Sequence, residues 1–395
     1  MNSKEHFLHC QGQTNPFPYL IDVDRADGIY IYDKSGKSYM DMIAGVAVNN
    51  IGHKHPKVIN AIKAQVDRHL HVMVYGEYIQ DAQLDFSKKL TSLLPKKLNC
   101  VYSVNSGTEA NEAALKLAKR VTGRTELVSF RGSYHGSTHG SMSVSGNETK
   151  KEAYRPLLPD VRFLKFNFID DLNQITPKTA AVIIETIQGD AGVRIPSRDF
   201  LVALRDRCTE VGALLIFDEI QCGIGRTGKL FAFEHFDVIP DILTLGKALG
   251  GGMPIGALVS SNENLKEFTY NPMLGHITTF GGHPVVCAAA HACLEVMESE
   301  IDYDEVERLG KLLEDLLSNI EEIHEIRRIG MLFALDMVSF QRVERVVQKC
   351  LEKGLISFWF LSHPYSFRLS PPLNITEKEI RKAASIIEAA ISETR

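Results

Sequence analysis

The chain has 395 residues, 44% apolar and 24% charged, with a formal net charge of −5. That is the balance of a globular enzyme, with length for roughly two or three domains or one large domain with a satellite. No Lys/Arg stripe forms, which argues against nucleic acid or an anionic membrane surface as a main partner. The opening "MNSKEHFLHCQGQTNPFP" lacks the apolar core of a signal peptide, and no apolar run reaches the roughly 18 residues of a membrane span. Cys10, Cys100, Cys208, Cys222, Cys287, Cys293 and Cys350 are odd in number and form no C-x-x-C pair, the usage of reduced thiols. A cytoplasmic enzyme is expected.

In chain order, "GIYIYDKSGKSYMDMIAG" gives two alternating runs around a D-K-S-G turn, two strands of a hairpin. From Pro56 the pattern becomes α/β. "HPKVINAIKAQVDRHL" and "DAQLDFSKKLTSLLP" have helical spacing, "CVYSV" is a short buried strand and "GTEANEAALKLAKRV" a helix. The runs "ELVSF", "TAAVIIE", "ALLIFDE", "ILTLGK" and "IGALVS" alternate with helical segments, which predicts a mainly parallel sheet covered on both faces. After Pro284 come the helices "VVCAAAHACLEVMES" and "YDEVERLGKLLEDLLSNIEEI". Short strands ("IRRIGMLFALDM", "SFRLSPPL") follow, and the helix "EKEIRKAASIIEAAISE" ends the chain. This tail reads as a smaller α+β domain, with Met331, Phe333 and Phe340 in its core and "EEIHEIRRI" a solvated connection.

One stretch imitates an ATPase. "LLIFDEIQCGIGRTGKL" (Leu214 to Leu230) ends an apolar strand in Asp-Glu and continues into G-x-x-x-x-G-K. Leu230 stands where the Mg²⁺-binding hydroxyl should be, the motif order is reversed, and "LFAFEHF" reads as loop or short strand. Something else requires an acid at that strand end.

Ligands of open α/β sheets lie beyond the carboxyl ends of the strands. There, Asn105-Ser106-Gly107-Thr108-Glu109 opens a helix. Ser106 with Glu109 fits a capping box, and the same hydroxyls and free N–H groups fit an anion site. "ELVSF" leads to Tyr134 and His135, "ALLIF" to Asp218 and Gln221, and "ILTLG" to Lys247. Leu243, Leu245, Ala248 and Leu249 flank Lys247, and an apolar setting lowers a lysine's pKa and makes it a nucleophile toward carbonyls. An anion cradle, an aromatic, a carboxylate and such a lysine are the parts that pyridoxal phosphate needs. His53, His55, His69 and His71 lack a further ligand at metal spacing, so no metal is expected.

With these motifs in order, the chain resembles the class III aminotransferases, the family of acetylornithine, ornithine and 4-aminobutyrate aminotransferases. The resemblance runs from "AVNNIGHKHP" to "RLSPPL" through "NSGTEANEAALKLAKR", "YHGST", "FDEIQCGIGRTG", "TLGKALGGGMPIGA" and "HITTFGGHP". It implies a fold-type I pyridoxal 5'-phosphate transferase. Residues 51–283 would form the large domain on a mainly parallel seven-stranded sheet, and residues 1–50 and 284–395 the small α+β domain. It implies Lys247 as the Schiff-base lysine and Asp218 on the pyridinium nitrogen. It also implies Gln221 near the ring hydroxyl, Tyr134 and His135 in the ring-stacking motif, and Ser106, Gly107 and Thr108 around the phosphate. Thr278 and Thr279 would belong to a phosphate contact made across a homodimer, Thr279 reaching the neighbouring subunit's site.

For the substrate, the resemblance implies Arg368 as the carboxylate fork, with Asp190 where the family usually carries a Glu that pairs with this Arg. Ser137 stands where acetylornithine and ornithine enzymes carry Arg, and Val46 where ornithine enzymes carry an aromatic. Both departures favour an ω-amino acid or amine donor and 2-oxoglutarate as oxo-acid acceptor; acetylornithine or ornithine is the alternative. A non-catalytic binding protein on the same fold and a P-loop NTPase are the rival readings, and intact Lys247 and Asp218 argue against the first.

Overall fold

A computed structural model describes residues 2–394. At its centre lies a seven-stranded sheet in the spatial order Cys100–Val104, Gly256–Ser260, Ile242–Leu245, Leu214–Asp218, Thr179–Glu185, Glu126–Phe130, Val161–Leu164. Strand Gly256–Ser260 runs antiparallel to both neighbours, and the other pairings are parallel. The strands are buried on both faces, as their continuous apolar runs require. Val161–Leu164 escapes the sequence reading because it is a short edge strand interrupted by Arg162.

Register matters most for the site. Glu185 lies opposite Asp218, and Asp218 opposite Thr244. Three polar side chains therefore share one row at the carboxyl ends of the central strands. Helix Gly107–Thr122 crosses this end, starting at the N-cap Ser106 and stopped by Gly123 in the left-handed region. Its buried face carries Ala110, Ala113, Ala114 and Ala118, small enough to let the helix axis approach the sheet.

Two four-stranded sheets flank this core. In one, the N-terminal strands Val23–Asp27, Tyr30–Asp33 and Ser38–Asp41 are joined by Leu355–Ile356, Met40 lying opposite Leu355. In the other, Glu325–Ile329, Leu332–Asp336, Ser366–Leu369 and Phe358–Trp359 pair antiparallel. Met331 and Phe333 are fully buried, and Phe340 packs edge-on against Trp359 at 5.7 Å. Helix Pro284–Ser299, beyond the boundary expected at residue 283, packs against helices Pro56–Arg68 and Asp81–Ser92. Of the segment read as a solvated connection, residues 321–324 do connect helix to strand, while Glu325–Ile329 is the strand itself. Arg327 there bonds Asp336 and the Gly192 carbonyl, while Arg328 bonds Glu307 and Glu314. Charge pattern alone could not separate such a clamp from a wet surface.

The ATPase-like stretch also finds its use here. Glu219, its second acid, is fully buried and accepts from the Thr186 hydroxyl (2.9 Å) and the N–H groups of Ala232 and Phe233 (both 2.7 Å). The residues after Lys229 form a 3₁₀ turn, Ala232–His235, with Phe231 and Phe233 stacked at 5.7 Å. Arg226 is buried completely. It donates to the carbonyls of Met331 (3.0 Å) and Pro371 (2.6 Å) and to the Asn50 side chain, tying the central unit to both ends of the chain. Gly330 lets this contact close, since a Cβ there would lie 2.3 Å from the Thr227 backbone.

Arg226→Met would leave three buried acceptors without a donor. It is expected to lower stability by about 3–5 kcal/mol, read from the chemical denaturation midpoint. A loss under about 1 kcal/mol would contradict this tie.

Candidate active site

The row of strand ends is built around Asp218. Its Oδ2 accepts from Asn111 Nδ2 at 2.8 Å and lies 2.7 Å from His135 Nδ1, while Oδ1 accepts from the Ile220 N–H at 3.0 Å. Asn111 is itself fixed, because it donates to the His135 carbonyl (2.7 Å) and accepts from the Thr244 hydroxyl (2.8 Å). All four side chains are buried, so the carboxylate keeps one orientation without help from solvent. Next to it, Glu185 accepts from the N–H groups of Tyr134 (2.8 Å) and Gly189 (3.0 Å). Burial first, and then the Asp218 charge, push the Glu185 carboxyl up to about 7.

A second cluster forms where helix Gly107–Thr122 begins. Ser106 Oγ accepts from the Glu109 N–H at 3.3 Å, but Glu109 does not complete a capping box. Its carboxylate takes the Asn105 N–H (2.7 Å) and Asn105 Nδ2 (2.9 Å), one residue earlier, because Asn105 offers two donors together. Gly107 has no room for a side chain, since a Cβ would sit 2.6 Å from Ile220 Cγ2. Its backbone therefore lies directly against the site. Thr108 Oγ1 bonds Ser141 Oγ (2.6 Å) and Thr138 Oγ1 (2.9 Å). The result is a hydroxyl-rich rim at a helix N-terminus, suited to an anion.

Lys247 follows strand Ile242–Leu245 with φ +45, in the left-handed region. Burial lowers its pKa and the nearby Arg368 charge lowers it further, while Asp218, Glu185 and Asp190 act in the opposite sense. A cavity of about 220 Å³ is lined by Gly107, Thr108, Tyr134, His135, Gly136, Ser137, Glu185, Asp218, Ile220, Gln221 and Lys247. The amine, the acid, the aromatic and the helix N-terminus predicted from sequence thus share one space. Gln221 is held against Gly189, where a Cβ would lie 1.8 Å from its Oε1.

Arg368 is buried on strand Ser366–Leu369, its guanidinium 4.4 Å from the Phe360 ring centroid. Its Nε and Nη2 have no partner among the described residues. Asp190 does not bond Arg368; it accepts from Lys150 Nζ at 2.9 Å and Ser362 Oγ at 2.6 Å. Other predicted residues lie apart from this cavity. Val46 sits at φ +67 on the left-handed turn Ala44–Ala47, steadied by Asp41, whose carboxylate takes the N–H groups of Ile43 and Gly45. Thr278 accepts from the Gly281 N–H, and Thr279 is exposed. Neither threonine lines the Lys247 cavity of its own chain. His53 pairs with Asp41 at 2.9 Å and His55 with Glu300 at 3.4 Å. No three metal-binding side chains converge among the described residues.

Asn111, Glu185 and Lys150 went unnoticed in the sequence. Asn111 alone left a signal, as a polar residue on the otherwise alanine-rich buried face of its helix.

A flat heteroaromatic carrying a phosphate and an aldehyde fits what is present. The glycine-lined helix start offers N–H donors to the phosphate, and the buried carboxylate faces the same cavity as a desolvated amine. Residues 12–391 match the family described as Aminotransferase class-III. The acetylornithine aminotransferase of Methanocaldococcus jannaschii is 40% identical over 382 residues, covering 93% of this chain and 92% of that protein. That of Clostridium acetobutylicum is 38% identical over 403 residues, covering 98% and 100%. The crystal structure of Toxoplasma gondii ornithine aminotransferase, with PLP partly occupying its active site, superposes with a TM-score of 0.91 at 30% identity, covering 99% and 95%. No helix among the described residues is long and apolar enough to cross a membrane. The chain belongs to the class III aminotransferases: it is a fold-type I, pyridoxal-phosphate-dependent transaminase.

Proposed function

We propose that this transaminase moves the terminal amino group of an ω-amino acid or amine to 2-oxoglutarate by a ping-pong cycle, and that it does so as a homodimer. The observation that carries the reading is the single cavity shared by half-buried Lys247 and the Asn111–His135–Asp218 cluster. Pyridoxal phosphate supplies the aldehyde that takes up the amino group and the ring that draws electrons from the carbon losing its proton.

The residues have separable tasks. Asp218, oriented by Asn111 and His135, would hold the proton on the ring nitrogen. Gly107 and Thr108 at the helix N-terminus would bind the phosphate, and Tyr134 would cover the ring. Lys247 would hold the aldehyde. Desolvation favours its neutral amine, the form able to leave for a donor amine and then carry the proton at the donor's carbon. Arg368 offers an unpaired fork for one substrate carboxylate.

Ser137, in the cavity wall, provides a hydroxyl and no second fork, which favours amines without a carboxylate, or ω-amino acids short enough for Arg368 to hold their one carboxylate, over N-acetylornithine, whose one carboxylate stands at the far end of a longer chain. N-acetylornithine or ornithine is the second reading, favoured by the identity to the enzymes bearing those names. Half-reactions of the loaded enzyme with a donor panel separate the two. Simple ω-amino acids and amines are expected to react faster than N-acetylornithine, and Ser137→Arg to raise its kcat/KM by about tenfold or more, one charge-assisted pair. If N-acetylornithine is already preferred and Ser137→Arg brings no gain, another residue holds its carboxylate and the first reading fails.

The dimer reading rests on an apolar face. Ile79 (89% exposed), Met273 (77% exposed), Leu70, Leu274, Ile277 and Phe280 are open to solvent. Segments 74–77 and 273–281 contribute to the lining of a groove of about 600 Å³. Such faces mark contact with another chain. Thr279 is exposed between Ile277 and Phe280 of this face and lies outside the Lys247 cavity of its own chain. Mixing Lys247→Ala subunits with Thr279→Ala subunits is expected to restore about a quarter of parental activity. Half of randomly exchanged dimers are mixed, and each mixed dimer holds one intact site. Confirmed subunit exchange without recovered activity would exclude a role for Thr279 in the neighbour's site.

A further inference from the structure

Asp190 and Arg368 carry opposite charges near one cavity and yet do not pair. Each feels the other's charge, but both oxygens of the Asp190 carboxylate are already engaged elsewhere. Oδ2 accepts from Lys150 Nζ (2.9 Å) and Ser362 Oγ (2.6 Å), and Oδ1 from the Leu361 N–H (3.1 Å). Arg368 meanwhile keeps Nε and Nη2 buried and without partners among the described residues. A buried guanidinium ordinarily takes a carboxylate within reach, because a forked charged pair is among the strongest polar contacts.

The residue that withholds Asp190 is Lys150. It stands in the turn Glu148–Lys150, its Nζ 5.2 Å from the Tyr134 ring centroid. It lines a second cavity of about 400 Å³ that shares Tyr134, Gly136 and Ser137 with the Lys247 cavity. With Asp190 and Lys150 paired, the Arg368 guanidinium, close enough for its charge to act on Lys247, is left with Nε and Nη2 unpartnered among the described residues.

We propose that Lys150 is a positioning residue for substrate specificity: by neutralising Asp190 it keeps the Arg368 fork open, so that an incoming carboxylate displaces no internal ion pair. The inference rests on the reading of Arg368 as the carboxylate anchor. Without the Lys150 charge, Asp190 has two courses. It can turn to Arg368 and close the fork, or stay and repel the arriving anion. Both weaken carboxylate binding, and both are cured by removing the Asp190 charge as well.

The test is calorimetric titration of the pyridoxal-phosphate-loaded enzyme with glutarate, a dicarboxylate that carries no group to transaminate. Lys150→Met and Lys150→Gln are each expected to raise the Kd about tenfold or more. Lys150→Arg should keep it near the parental value. Lys150→Met combined with Asp190→Asn should return it to within about threefold, a coupling that general loss of structure does not produce. Arg368→Gln should abolish binding in every background. Parental affinity in both neutral Lys150 variants overturns the proposal, and so does a weakened Lys150→Met that Asp190→Asn fails to rescue. Undiminished glutarate binding by Arg368→Gln instead refutes the anchor reading itself.

Discussion

A carboxylate at the end of a central strand, buried yet fixed by Asn111, His135 and the Ile220 N–H, is the constraint around which this molecule is arranged. Burying that charge is costly unless donors meet it in fixed positions, and the donors come from distant parts of the chain. Asn111 arrives on the helix after the first sheet strand, His135 on the loop after Glu126–Phe130, and Thr244 on the neighbouring strand holds Asn111 in turn. The sheet register that sets Glu185, Asp218 and Thr244 in one row is therefore also what orients the acid.

Charge around the cavity is graded by the same burial. Lys247 is pushed toward its neutral form and Glu185 toward protonation up to about 7. Arg368 retains an unpaired fork while Lys150 occupies Asp190. In the proposed reading, the first favours a free amine at Lys247 and the last leaves a guanidinium fork for a substrate carboxylate. The end proposed for the phosphate is made by shape as much as by charge, since Gly107 brings helix backbone against Ile220 with no space for a methyl group.

Much of this was legible in the residues. Lys247 announces itself by its apolar flanks, and the parallel sheet by strands without polar alternation. The order of the motifs points to the family before any coordinates. The ATPase-like run lacks the hydroxyl and the motif order of a nucleotide site in sequence alone, but sequence does not tell that Glu219 caps a buried turn or that Arg226 bonds residues more than a hundred positions away. Asn111, Glu185 and Lys150 were hidden for the same reason, because their partners Asp218, Tyr134 and Asp190 are close only after folding. Glu109 was misassigned over a single residue, a distance at which capping patterns do not discriminate. Thr279 belongs to a face whose partner is a second chain in the proposed dimer, so no one-chain pattern could place it beside Lys247.

The central claim is that Asp218 exists to keep a proton on the ring nitrogen of the cofactor. NMR of the enzyme loaded with ring-nitrogen-labelled pyridoxal phosphate reads that proton directly. The account predicts a protonated ring nitrogen at neutral pH in the parent and an unprotonated one in Asp218→Asn, with the cofactor still bound. An unprotonated nitrogen in the parent, or the same protonated signal in both proteins, would contradict it.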